Sequence, residues 1–267
     1  MEYTKEFEEY LIEEERSKNT IDAYIRTVKM FYEVHDELNK ANMILFKKEL
    51  FEKGNKPKTV HNRCVAMNQY CRFVGHPEYC VKSVKIHSVS SVENVISLEE
   101  YHKLLDGLMA DGNMRGYWMI TYLAKTGARV SEFIKLTKDA LDKGYWELWT
   151  KGKIRRIYIP QYLIEESKNF LLQTDSDYLF PNRLGVQMTE RGVAQNIRNW
   201  AKKYGIREEV AHPHSFRHLY AIEFLKKNPN ISLLADLMGH SSVTTTSIYL
   251  KLSREEQMKQ FNEASDW

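Results

Sequence analysis

Apolar residues recur every three or four positions through the first 80 residues of the chain, which is the spacing of amphipathic helices. Four segments carry this pattern, around residues 3–11, 21–32, 44–51 and 60–74. The second is expected to begin at Thr20, whose hydroxyl can cap a helix N-terminus. Residues 1–80 are therefore predicted to form a domain of helices only. The periodicity fades over residues 81–95, which are predicted to be a linker.

The remaining residues, 96–267, are predicted to form a second domain that is larger and mostly helical. It opens at Ser97-Leu98-Glu99-Glu100, where the Ser97 hydroxyl and the Glu100 carboxylate can each accept from an otherwise unpaired backbone amide. Two strand-like runs, 145–150 and 154–159, flank Lys151-Gly152-Lys153, and we interpret them as a β-hairpin. The predicted fold class is mainly α, with one small antiparallel sheet in the second domain.

The composition is that of a globular protein, with 43% hydrophobic and 28% charged residues among 267. No apolar stretch approaches the roughly 20 residues that a membrane-spanning helix needs, and the acidic N-terminus differs from a secretory signal. The three cysteines, Cys64, Cys71 and Cys80, form no C-x-x-C pair, which favours a reduced, cytoplasmic environment.

Charge is distributed unevenly along the chain, although the net charge is only +3. Residues 1–15 carry seven acids and one base, whereas residues 53–85 carry seven bases and one acid. Residues 143–156 carry five bases against the single acid Glu147. Local positive patches of this kind are typical of a protein that binds a polyanion, although solvated helix faces produce the same pattern.

Four short segments of the second domain combine residue types that suit phosphate chemistry. They are Thr126-Gly127-Ala128-Arg129-Val130-Ser131-Glu132, Lys151-Gly152-Lys153, His212-Pro213-His214-Ser215-Phe216-Arg217-His218, and Leu237-Met238-Gly239-His240-Ser241-Ser242 with Tyr249 seven residues further on. In the first, the Glu132 carboxylate can orient Arg129. Taken alone, each segment has an ordinary explanation, such as an ion pair, a solvated lysine or a tyrosine of the core.

The order of these segments resembles that of the tyrosine recombinase (phage integrase) family. The resemblance rests on G-x-R-x-S-E, the lysine of a β-hairpin, H-x-x-R-H and L-x-G-H-S-S-x-x-T-T-x-x-Y, and it covers the whole second domain. The six family positions are filled by the expected residue types, namely Arg129, Lys151, His214, Arg217, His240 and Tyr249. The resemblance implies a SAM-like helical core-binding domain followed by a catalytic domain of the kind shared with type IB topoisomerases.

The resemblance also implies an activity, site-specific recombination through a covalent 3′-phosphotyrosine, for integration, excision or inversion of DNA. The residue types agree with this chemistry. Two guanidiniums can donate to the non-bridging phosphate oxygens, and His214 and His240 can add further donors. A cluster of cations is expected to favour the phenolate of Tyr249, the nucleophile, and Lys151 is expected to protonate the departing 5′ oxygen.

The sequence does not assign the base that deprotonates Tyr249. His218, one turn from His214, is expected either to support a neighbouring group of the site or to be a buried, hydrogen-bonded histidine. No cofactor, metal ion or small-molecule substrate is expected, because the sequence has no G-x-x-x-x-G-K-[ST] loop and no carboxylates spaced for Mg²⁺.

The expected partner is double-stranded DNA with a specific recombination site. A polar face of the fourth helix, formed by residues 61–63, Asn68 and Gln69, is expected to meet DNA. The residues predicted to contact DNA are Lys56, Lys58, Arg63, Lys153, Thr189 and Arg191. The resemblance further implies a homotetramer on DNA, linked through the short tail that follows Tyr249, with Phe261 and Trp267 as anchors.

Three alternatives remain beside this interpretation. The same residues could serve a type IB topoisomerase that nicks and reseals DNA without pairing sites. A DNA-binding regulator could have kept the fold without the chemistry, although the complete set of six residues argues against it. A metal hydrolase built on His212, His214 and His218 would need a carboxylate ligand that the sequence does not place nearby.

Overall fold

The computed structural model describes residues 2–85, 95–150, 153–240 and 242–250, together with residues 262 and 265. The chain divides into two compact units, an N-terminal unit of Met1–Ser88 and a C-terminal unit of Val89–Trp267. The division falls within the predicted linker, of which residues 86–94 lie outside the described part of the chain.

The N-terminal unit contains four helices whose apolar faces meet in one core. These are α1 (Glu2–Glu13), α2 (Lys18–Tyr32), α3 (Lys40–Glu52) and α4 (Pro57–Phe73), followed by a 3₁₀ turn at Pro77–Tyr79. Phe7, Phe31 and Tyr70 are almost fully buried there. The N-cap of α2 is Ser17, three residues before the predicted Thr20, and the Ser17 hydroxyl accepts the Thr20 amide.

Contacts within the N-terminal unit occupy part of the polar face predicted on α4. Asn68 is buried, and its side-chain amide binds both the carbonyl oxygen and the amide of Val81, each at 2.9 Å. The His61 ring pairs with the carbonyl of Val84 at 3.0 Å. The assignment of Asn68 to a DNA-facing surface is therefore wrong, because this side chain instead holds the segment after α4 against the N-terminal unit.

The C-terminal unit is built around helix α6 (Met114–Thr126), which is buried along most of its length. It packs against α5 (Leu98–Ala110), α9 (Gln161–Leu171) and α11 (Pro213–Lys227). The predicted capping box at the start of α5 is present, with Ser97 accepting from Glu100 and Glu100 accepting from Ser97. The helices of this unit are α5 (Leu98–Ala110), α6 (Met114–Thr126), α7 (Val130–Phe133), α8 (Asp139–Lys143), α9 (Gln161–Leu171), α10 (Glu190–Tyr204), α11 (Pro213–Lys227), α12 (Ile231–Met238) and α13 (Val243–Thr246), with 3₁₀ turns at Glu208–Val210 and Ser247–Leu250.

The predicted β-hairpin is present between α8 and α9. Strands β1 (Tyr145–Thr150) and β2 (Lys153–Tyr158) pair antiparallel, in a register that sets Trp146 opposite Ile157 and Trp149 opposite Ile154. Side chains alternate between the two faces of a strand, so one pair is buried and the other is exposed. The mainly helical fold with one small antiparallel sheet is thus confirmed.

Candidate active site

Arg129 lies where α6 has ended and α7 begins. Its backbone amide donates to Glu132 Oε2 at 2.7 Å, and its Nη1 donates to Glu132 Oε1 at 2.9 Å. Glu132 is only 4% exposed, so this carboxylate is fixed by the surrounding core. The predicted orientation of Arg129 by Glu132 is confirmed. The other end of the guanidinium donates through Nη2 to the carbonyl of Gly239 at 3.0 Å.

Arg217 projects from the first turns of α11 into the interior and is 1% exposed. Its Nη1 donates to the carbonyl of Gly127 at 2.5 Å, and its Nη2 donates to the carbonyl of Met238 at 2.6 Å. Burial lowers the pKa of Arg217 to about 10, and the positive charge of Arg129 acts in the same direction. A group with this pKa keeps its positive charge at neutral pH.

His240 follows α12 and contacts the same guanidinium. Arg217 Nη2 lies 3.0 Å from His240 Nε2, and His240 Nδ1 lies 2.7 Å from the Thr246 hydroxyl. Because a guanidinium can only donate, Nε2 accepts and the ring proton sits on Nδ1. Burial, reinforced by the charge of Arg217, lowers the pKa of His240 to about 4, which keeps the ring neutral.

Tyr249 lies in the 3₁₀ turn Ser247–Leu250 and packs on a small apolar cluster of α11 and α12. Its hydroxyl is 2.7 Å from Nδ1 of His218. His218 in turn stacks edge-on against the exposed ring of His214, with 4.2 Å between ring centroids. The fold therefore brings Tyr249, which is distant in sequence from Arg129, into contact with His218 of α11 and within electrostatic reach of Arg217.

The expectation that neighbouring cations favour the Tyr249 phenolate is wrong as a net effect. Burial raises the pKa of Tyr249 to about 12, and the charge of Arg217 offsets only part of this effect. A half-buried phenol loses the water that would stabilise its anion, and this loss outweighs one nearby positive charge.

Arg155 is a site residue that the sequence interpretation did not identify. Its Nε lies 2.7 Å from Glu132 Oε1, and its Nη2 donates to the carbonyl of Leu237 at 3.2 Å. Arg155 shares one face of β2 with the buried Ile157, and an arginine on the inward face of a strand indicates a buried partner. The position of Arg155 two residues before Ile157, on the same face of the strand, was the sequence signal that could have identified it.

Two guanidiniums, those of Arg129 and Arg155, thus pair with the buried carboxylate of Glu132, and Arg217 lies within the electrostatic influence of all three groups. The carbonyls of Met238 and Gly239, which are consecutive, hold Arg217 and Arg129 side by side. Among the described side chains of this cluster, positive charge exceeds negative charge, so the site suits an anion that accepts hydrogen bonds from two guanidiniums.

The remaining predicted site residues are dispersed. Lys151 lies outside the described residues, and Lys153 begins β2 with its side chain outside them. Lys56 precedes α4 and Lys58 lies in its first turn, both exposed, whereas Arg63 is half-buried on the same helix. Thr189 caps α10 by accepting the Gly192 amide, and Arg191 is exposed in the first turn of α10. Phe261 and Trp267 also lie outside the described residues.

Within the described ranges, no group of three or more His, Cys, Asp or Glu side chains is arranged to hold a metal ion. His212 is engaged as the N-cap of α11, where Nδ1 accepts the Ser215 amide at 3.1 Å. None of the helices in the described part of the chain is long and apolar enough to span a bilayer.

Two family models match this chain and together span most of it. The model described as the phage integrase family matches residues 94–256, and the phage integrase N-terminal SAM-like domain matches residues 4–77. The chain belongs to the phage integrase family. The prediction of a tyrosine-type recombinase is confirmed at this level, and both matches agree with the fold described above.

Named relatives of this phage integrase family member are similar over nearly their full length. It is 27% identical to tyrosine recombinase XerC of Neisseria gonorrhoeae, over 98% of this chain and 94% of that protein. It is 29% identical to tyrosine recombinase XerA of Pyrococcus furiosus, over 94% of this chain and 90% of that protein.

Solved structures of the same fold include complexes with DNA. The Tn1549 transposon integrase in complex with transposon right end DNA has a TM-score of 0.74 and 17% identity, and covers 94% of this chain and 95% of that one. A lambda integrase dimer bound to a COC′ core site has a TM-score of 0.75 and 16% identity, and covers 95% of both chains. At these identities the likeness establishes the fold of this phage integrase family member.

Proposed function

We propose that this protein is a site-specific recombinase that cuts and rejoins double-stranded DNA through a covalent bond between Tyr249 and a 3′ phosphate. The observation that carries the proposal is the arrangement of Arg129 and Arg217 on consecutive carbonyls, with His240 in contact with Arg217 and Tyr249 within its electrostatic reach. A phosphodiester already carries negative charge, and this charge grows on the oxygens in the transition state. Paired guanidiniums offset it.

The proposed reaction begins when the scissile phosphate takes the place that the two guanidiniums face. Tyr249 Oη attacks phosphorus, the bond between phosphorus and the 5′ oxygen breaks, and the 5′ oxygen leaves as a hydroxyl after gaining a proton. Lys151 is the proposed source of that proton. The phosphotyrosine keeps the energy of the broken ester, so a 5′ hydroxyl of another strand can attack it and reseal the DNA.

DNA contacts away from the cleavage site belong to the same proposal. Lys56, Lys58, Arg63, Lys153 and Arg191 are proposed to contact DNA, with Lys56 and Lys58 on the phosphates, and the amide end of α10 at Thr189 suits an anion. A homotetramer linked by the tail after Tyr249 is proposed from the family resemblance. The DNA-bound recombinases among the solved structures of this fold support DNA as the partner.

Covalent trapping tests this proposal. A binding site is first selected as the duplexes that the purified protein retains from a random library. A nick is then placed close to the cleavage position, so that the short 5′ fragment diffuses away after cleavage. We expect a protein–DNA adduct on a denaturing gel with the wild-type chain and none with Tyr249→Phe. Equal retention of DNA by the variant controls for binding. Cleavage without any adduct would contradict the proposal.

A plasmid assay separates this function from that of a nicking-closing enzyme. We expect relaxation and strand exchange to depend on the selected site. Equally fast relaxation of a supercoiled plasmid that lacks the site would support a topoisomerase-like activity instead.

A further inference from the structure

The hydroxyl of Tyr249 has a hydrogen-bond partner that its proposed role as nucleophile does not account for. His218 Nδ1 lies 2.7 Å from Tyr249 Oη, and the two rings are 5.4 Å apart at a tilt of 55°. A heavy-atom separation of 2.7 Å is within the range over which a proton passes between a donor and a positioned base.

Other groups of the described site are poorly placed to accept this proton. Arg217 has no lone pair available to accept, because its guanidinium is charged. Both ring nitrogens of His240 are engaged, Nε2 with Arg217 and Nδ1 with Thr246. His214 presents its ring to His218 rather than to Tyr249 among the ring contacts of the described residues. His218 is therefore the acceptor that the geometry offers.

His218 also has the protonation state that a base requires. Burial lowers the pKa of His218 to about 4, and the neighbouring His214, His212, Arg217 and His240 act in the same direction. The ring is neutral at physiological pH, and in the tautomer with its proton on Nε2 the Nδ1 lone pair accepts the phenolic proton of Tyr249. A phosphate held by Arg129 and Arg217 would offset the surrounding positive charge, which makes an imidazolium at this position easier to form.

We propose that His218 is the general base that removes the proton from Tyr249 during DNA cleavage. The Oη–H bond breaks and its proton passes to Nδ1 of His218, while the Oη–phosphorus bond forms and the bond from phosphorus to the 5′ oxygen breaks. The 5′ oxygen takes its own proton from a separate acid. In resealing, the imidazolium returns the proton to the departing phenolate. This assignment rests on the covalent chemistry proposed for Tyr249.

Replacing His218 with asparagine tests the assignment, because the amide oxygen of Asn can still accept a hydrogen bond but cannot keep a proton. With the nicked duplex, we expect His218→Asn to form adduct roughly 10²–10⁴-fold more slowly, the range typical of a lost general base. Retention of DNA is expected to match that of the wild type. His102→Asn, which changes an exposed histidine of α5, is the matched control and is expected to cleave normally.

A substrate with sulfur in place of the bridging 5′ oxygen distinguishes a base from an acid. Sulfur leaves without being protonated, so this substrate is expected to restore cleavage by Lys151→Ala and not by His218→Asn. The pH profile gives a second readout. Adduct formation by His218→Asn is expected to rise tenfold per pH unit, because hydroxide must replace the base, whereas the wild-type rate levels off once His218 is neutral.

Three results would overturn the assignment. These are a His218→Asn rate within threefold of the wild type, full restoration of that variant by the sulfur substrate, and a slow rate whose pH profile keeps the wild-type shape. The last two would assign His218 to the acid side or to structure alone. Absence of any adduct with the wild-type chain would instead contradict the proposed function, so the two failures are distinguishable.

Discussion

Replacing Gly239 with alanine tests how the C-terminal unit holds Arg155, whose side chain is only 10% exposed. Gly239 ends α12 in the left-handed region, with φ +60° and ψ +47°, and a Cβ there would overlap the Arg155 guanidinium. Gly205 ends α10 with φ +63° and ψ +43°, but a Cβ there would meet only Lys103 Nζ, at 3.5 Å. Both substitutions therefore place an alanine on a left-handed backbone, but only Gly239→Ala brings a methyl group into overlap with an arginine side chain.

The magnitudes follow from these two contributions. A left-handed backbone costs an alanine about 1–2 kcal/mol, which is the loss of unfolding free energy expected for Gly205→Ala. Gly239→Ala is expected to lose more unfolding free energy than this, because its methyl group also displaces Arg155 from Glu132. Leaving one partner of a buried pair uncompensated costs about 3–5 kcal/mol, and Arg129 still pairs with Glu132, so we expect about 2–3 kcal/mol beyond the control.

Urea unfolding followed by tryptophan fluorescence measures this difference in the relevant unit. All five tryptophans lie in the C-terminal unit, at positions 118, 146, 149, 200 and 267. Equal losses for the two alanine variants would refute the reasoning. So would an excess for Gly239→Ala that persists in an Arg155→Ala background, because the double-mutant cycle then shows that the two residues are not coupled.

Two further predictions concern stability. Asn68→Ala is expected to destabilise the N-terminal unit by about 2 kcal/mol, because two buried backbone groups of Val81 lose their partner. Amide exchange at Val81 measures the loss, with the exposed Asn62→Ala as control, and unchanged protection of Val81 would contradict it. Hydrogen bonding from Arg207 lowers the pKa of Glu100 to about 2, so its stabilisation is present above the unfolded pKa of about 4.3 and is lost as the pH falls towards 2. Urea unfolding is expected to show that Glu100→Gln lowers the free energy of unfolding by about 1 kcal/mol at pH 7, a modest loss because Arg207 is half exposed. Near pH 2 the variant and the wild type are expected to be almost equally stable. A difference in stability that does not change with pH would contradict this prediction.

Local features of the sequence predicted most of the fold. The capping box at Ser97 and Glu100 depends on residues three apart, and so does the pairing of Arg129 with Glu132. The hairpin followed from two strand-like runs around a short turn. Such features are visible in the sequence because the atoms that interact are close along the chain.

Contacts between distant segments were not predictable in the same way. Arg155 reaches Leu237, which is 82 residues away, and this contact depends on the strand register and on the path of the chain after α12. The pairing of His218 with Tyr249 spans 31 residues. The raised pKa of Tyr249 depends on how deeply the ring is buried, and residue types alone do not give that depth.

The most direct test of the central claim is the identity of the residue that becomes linked to DNA. Digestion of the trapped adduct with a protease and a nuclease, followed by mass spectrometry, is expected to find a nucleotide attached through its 3′ phosphate to the peptide that contains Tyr249. Attachment to any other residue, or cleaved DNA with a free 3′ end and no modified peptide, would contradict the account.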